Sequence, residues 1–109
     1  MTVQRRRIVA VVPDLMDRSR LTGPAGHELR FVALGDLAGL RADADEVDLV
    51  VVDLARPGAL DAVAAADLDV PVVGFGPHVD DDLLAAATAA GCDRVLPRSR
   101  FFTRWPDVL

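Results

Sequence analysis

The stretch DLVVVDLARPGALDAV, residues 48–63, holds two periodicities side by side. LVVVDL, at 49–54, is an unbroken run of β-branched and apolar residues, the pattern of a strand buried on both faces. The remainder is helical: Pro57 suits a first turn, and Leu60, Val63 and Ala64 stand at core spacing. A doubly buried strand leading into a helix is a βα unit, and such units build parallel sheets covered by helices.

The same alternation extends outward in both directions. Further apolar runs are IVAVV (8–12), LRFVAL (29–34), VPVVGF (70–75) and RVL (94–96). The runs at 8–12, 49–54 and 70–75 are near-continuously apolar and belong inside the sheet, whereas RVL is short, flanked by polar residues and suited to an edge. Between them, Asp14 can cap a first helix through LMDRSRL, with Asp17 in its first turn and Gly23-Pro24-Ala25-Gly26 as its stop. GDLAGLRADADEVD (35–48) holds a short second helix and PGALDAVAAADLD (57–69) a third. Asp80-Asp81-Asp82 opens a fourth helix that ends at Gly91, and FFTRWPDVL (101–109) gives a short fifth helix or turn interrupted by Pro106. With no repeat and no linker, residues 1–109 read as one α/β domain: a doubly wound, five-stranded parallel sheet with helices on both faces.

Composition narrows the function classes. The net charge is −5 and the pI about 4.8, so the broad basic face of a nucleic-acid binder is lacking. Arg5, Arg6 and Arg7 form a solvated lead-in to the first strand. Pro13 and Asp14 cut the first apolar run too short for a secretory signal, no run approaches the length of a membrane span, and the expected location is cytoplasmic. Cys92 is the single cysteine, which excludes an internal disulfide. All 12 basic residues are Arg, and Lys, Asn and Tyr are absent, the bias of a GC-rich genome.

Ligand sites of doubly wound sheets lie at the carboxyl ends of the strands. Those ends carry Pro13-Asp14, Gly35-Asp36, Asp53, Gly76-Pro77 and Pro97-Arg98. In this arrangement the chain resembles a response-regulator receiver domain (CheY-like, flavodoxin-like fold), over nearly its whole length. DLVVVDLARPGALDAV resembles the segment that holds the phospho-accepting Asp, with Pro57 four residues on; VPVVGFG (70–76) resembles the fourth strand and AAGCDRVLPRS (89–99) the fifth. The resemblance implies strand order 2-1-3-4-5, Asp53 as phospho-acceptor, Asp14 and Asp53 as Mg²⁺ ligands, and Arg98 in place of the phosphate-binding Lys. It also exposes departures. Pro13 stands where one of a pair of acids is usual, Gly76 offers no hydroxyl where receivers carry Ser or Thr, and Val95 stands at the aromatic switch position.

These departures imply a degenerate, stand-alone pseudo-receiver. Such a module is expected to be non-enzymatic and regulatory and to work by protein–protein contact, with Mg²⁺ weak or unused and no other cofactor. Two alternatives stay open: a competent single-domain receiver phosphorylated on Asp53, and a small-ligand binder using the same crevice. At the residues, Asp14 reads as helix cap or metal ligand, and Asp53 as acceptor or as the ion-pair partner of Arg98. His27 and His78 read as surface or capping residues, and GFGPHV is not a dinucleotide motif. No nucleophile elbow or phosphate loop is present. Phe101, Phe102 and Trp105, with Val108 and Leu109, crowd the C-terminus and suggest an aromatic interface for a homodimer or a protein partner.

Overall fold

The computed structural model describes residues 6–21, 27–40 and 47–105. Its strands are β1 (Arg7–Val11), β2 (Glu28–Phe31), β3 (Leu49–Asp53), β4 (Val72–Gly76) and β5 (Arg94–Pro97). The helices are α1 (Leu15–Leu21), α2 (Leu37–Leu40), α3 (Ala59–Ala66), α4 (Asp81–Ala90) and α5 (Arg98–Arg104), with a 3₁₀ turn at Leu34–Asp36 leading into α2. All strand pairs are parallel and the order is β2-β1-β3-β4-β5. The expected sheet, its order and the edge position of RVL are therefore as read from the sequence.

Strand periodicity divides the core in two. Val9, Val11, Val50, Val52 and Val72 point to one face, where Leu37, Leu40, Ala59, Val63 and Ala87 bring α2, α3 and α4 against them. Ile8, Ala10, Val12, Leu49, Val51, Val73 and Phe75 point to the other, which Leu21 and Phe101 cover from α1 and α5. β3 and β4 are buried at every position, which explains why their sequences are apolar throughout instead of alternating.

Two helices show how local chemistry sets boundaries. In α4 the Asp80 carboxylate accepts from the Leu83 N–H at 2.8 Å, and Gly91 closes the helix at φ 115°. α3 starts later than Pro57 suggests, because Gly58 stands before it at φ 82°, outside the helical region. The start at Ala59 puts Ala59, Val63 and Ala66 on the buried stripe; Ala64, expected there, is exposed, and Leu60 packs at its margin. The expected stop at 23–26, part of the expected second helix, and Pro106, Val108 and Leu109 lie outside the described residues.

Candidate functional site at the carboxyl edge of the sheet

The expected site residues stand at the carboxyl ends of β1, β3 and β5, though not in the expected pairs. Asp14 follows β1, and its Oδ1 accepts the N–H groups of Met16 at 2.8 Å and Asp17 at 3.2 Å. It is the N-cap of α1, so the capping reading of Asp14 describes its bonding. Asp53 ends β3 and is 4% exposed. Its Oδ1 accepts the N–H of Ala55 at 3.0 Å, and its Oδ2 lies 3.6 Å from Arg56 Nε.

Arg98, the first residue of α5, was expected to pair with Asp53. Instead its Nη2 donates to Asp17 Oδ1, across 81 residues of sequence. The reason lies in helix geometry. Asp17 and Leu21, four apart, are the buried residues of α1, and a carboxylate on a buried face needs a charged or hydrogen-bonding partner. Arg98 supplies it, while Asp53 takes the nearer Arg56. The hydrogen bond from Arg98 to Asp17 is the main cause that raises the guanidinium pKa, against burial that lowers it; the charges of Asp17, Asp53 and Asp14 add to the rise. Arg98 thus stands in the field of all three carboxylates but is bonded to one of them. Asp17 is the site residue that sequence reasoning passed over, and the signal was available: an acid at i−4 from a buried Leu.

The residues do not fit a Mg²⁺ site. Asp14 Oδ1 serves the helix cap, Asp53 faces Ala55 N and Arg56, and no group of three acidic, His or Cys side chains among the described residues is placed to hold a metal. At the end of β4, Gly76 leaves ordinary space: an added Cβ would meet Leu83 Cδ2 at 3.6 Å and His78 O at 3.8 Å. The missing hydroxyl is therefore not forced by crowding. His78 is exposed, and His27 Nδ1 accepts the Arg6 N–H at 3.1 Å.

No family model matches the chain, and no curated protein matches it. Solved structures do. A response regulator from Hahella chejuensis superimposes with TM-score 0.72 at 22% identity, covering 94% of this chain and 96% of that one. A response regulator from Thermotoga maritima gives 0.73 at 16% identity, covering 96% and 98%. The fold is that of a CheY-like response-regulator receiver. A phosphorylated cyanobacterial phytochrome response regulator, RcpA, shares this receiver fold as well, with TM-score 0.70 at 17% identity over 96% of this chain and 89% of that one. At such identities the likeness is one of fold, and the chemistry rests on the residues above.

Of the three C-terminal aromatic residues expected at an interface, burial rules out Phe101 and leaves Phe102 and Trp105 partly exposed. Phe101, expected at an interface, is fully buried within its own chain, stacked on Phe75 at 4.7 Å between ring centroids. Phe102 packs edge-on against both rings and lies under two guanidiniums, those of Arg20 and Arg98, each 5.2 Å from its centroid. Trp105 is half-buried and its Nε1–H donates to Leu21 O at 3.0 Å. A seven-residue helix seals this face with one ring, Phe101, stacked on Phe75 of β4 and flanked by the edge of Phe102 and the tilted ring of Trp105. No helix among the described residues is long and apolar enough to cross a membrane.

Proposed function

We propose that the chain is a pseudo-receiver: a regulatory module that acts by contact with a protein partner, or with a second copy of itself, and not by Mg²⁺-dependent phosphorylation of Asp53. The observation that carries this reading is the bond between Arg98 and Asp17. An arginine at this place would stabilise a phosphoryl group on Asp53 only with its guanidinium free to turn towards it. Here the fork is held by a carboxylate that is itself 5% exposed at the side chain, and releasing it would leave that carboxylate buried without its cation. The occupied acid at Asp14, the arginine beside Asp53 and the absent hydroxyl at Gly76 support the same conclusion.

Mass spectrometry after incubation with acetyl phosphate and Mg²⁺ tests it. The unmodified mass is the expected result, with Mg²⁺ titration giving no saturation at low millimolar metal. A gain of one phosphoryl mass that disappears in Asp53→Asn would overturn the proposal and make the chain a competent receiver.

A further inference from the structure

Between the loop after β1, the residues after β2 and the β3–α3 connection lies a pocket of about 350 Å³, within the range of small-molecule sites. Val11, Pro13, Val32 and Leu34 give it apolar walls, and Arg18 and Arg56 line it as well. Both guanidiniums are anchored through Nε by the chain itself. Arg18 Nε donates to Val12 O at 2.7 Å with its Cζ 4.8 Å from the Phe31 ring centroid, and Arg56 Nε faces Asp53 Oδ2 at 3.6 Å. Among the described residues the Nη groups of both side chains make no hydrogen bond, and Arg18 has no carboxylate partner at all.

Arg18 is thus held by one donated hydrogen bond and Arg56 by an ion pair at 3.6 Å, and the four Nη hydrogens of each remain for something else. Two such forks line one apolar-walled pocket; Arg56 already faces Asp53 Oδ2, while Arg18 brings a positive charge with no carboxylate partner among the described residues. Planar forks match the two oxygens of a carboxylate, and apolar walls match a hydrocarbon body. From this geometry we infer that the pocket binds a small organic carboxylate with an apolar body, gripped by Arg18 and Arg56. Such binding goes beyond the pseudo-receiver reading and is independent of it, since it needs neither metal nor phosphorylation. Because Arg56 also faces Asp53, an occupant would act directly beside that acid.

Titrating ¹⁵N-labelled protein with 2-naphthoate, 2-naphthylmethanol and inorganic phosphate separates the parts of the claim. The expected result is saturable amide shifts for naphthoate, confined to Val11, Val32, Leu34, Arg56 and their neighbours. Naphthylmethanol, which lacks the charge, and phosphate, which lacks the apolar body, should each bind weaker by about tenfold or more. Arg18→Gln and Arg56→Gln should weaken naphthoate by a similar factor, with spectral dispersion reporting that each variant is folded. Equal binding of the alcohol would overturn the arginine grip, equal binding of phosphate would overturn the apolar contribution, and scattered or unsaturable shifts would overturn the site. The three-ligand comparison on the unsubstituted chain decides the matter even where a variant does not fold.

Discussion

Replacing Arg98 with Gln and replacing Asp17 with Asn break the same bond with unequal consequences. Arg98→Gln strands a carboxylate that the fold has buried, whereas Asp17→Asn leaves behind a guanidinium whose side chain is 38% exposed and able to find water. The expected loss is about 1 kcal/mol for Asp17→Asn and about 2–3 kcal/mol for Arg98→Gln, read from urea unfolding at neutral pH. An equal loss in the two variants would mean that Asp17 is better hydrated than its burial indicates. Cys92 supports a second prediction at this scale. Burial, and then the Asp93 carboxylate, push its thiol above the ordinary value. The folded chain then keeps a proton that the unfolded chain has lost, so this contribution to stability is complete below the ordinary thiol range and is lost as pH rises through it. With no Lys and no Tyr in the sequence, Cys92 is the only side chain titrating between about pH 8 and 11. Urea midpoints should fall over that interval, and the slope should vanish in Cys92→Ala; a slope that survives the substitution would remove the assignment.

Within β4, two glycines differ in how closely other side chains approach them. Gly74 lies inside β4 opposite Val52, and an added Cβ would meet Leu54 Cδ1 at 2.6 Å and Cγ at 2.9 Å. Gly74→Ala should therefore cost about 1–3 kcal/mol in thermal or urea unfolding, with part of the loss recovered when Leu54→Ala is added. Gly76→Ser, two residues on, meets only ordinary contacts and should leave stability within about 0.5 kcal/mol. If the two substitutions cost the same, the close approach of Leu54 is not what holds Gly74 in place. At this scale the sequence was most informative where one force dominates. The runs at 8–12, 49–54 and 70–75 are apolar because both faces are covered, and that demand is written in every residue. It was least informative where tertiary partners decide: Gly58 shifts the start of α3 past Pro57, and the choice of Asp17 over Asp53 for Arg98 needs α1 and α5 side by side before it can be made. The grouping of Arg18, in α1, with Arg56, in the β3–α3 connection, is likewise a product of tertiary packing, and no spacing along the chain announces it.

Across the whole molecule the two faces of the sheet are sealed by different means, and this sets what the C-terminal helix does. The face under α2, α3 and α4 is covered by small and branched side chains from three helices, but the other relies on the short α1 and α5, with the aromatic rings of Phe75 and Phe101 at its centre. Truncating Phe101 to Ala removes a fully buried ring and its stack on Phe75, a loss of about 3–5 kcal/mol from a total that for domains of this size is about 5–15 kcal/mol. The melting temperature should drop by more than about 10 °C, given roughly 4 °C or more per kcal/mol in small domains. Phe102, half-buried under Arg20 and Arg98, should cost about 1 kcal/mol when truncated, since its guanidinium contacts are partly solvated. Light scattering on the same variants separates this sealing role from an interface role. An interface residue changes the mass of the particle before it changes the melting of the chain, whereas a sealing residue does the reverse. Phe101→Ala should melt early with its molar mass unchanged at high micromolar concentration; an unchanged melting point with an altered mass would return Phe101 to the surface between two chains.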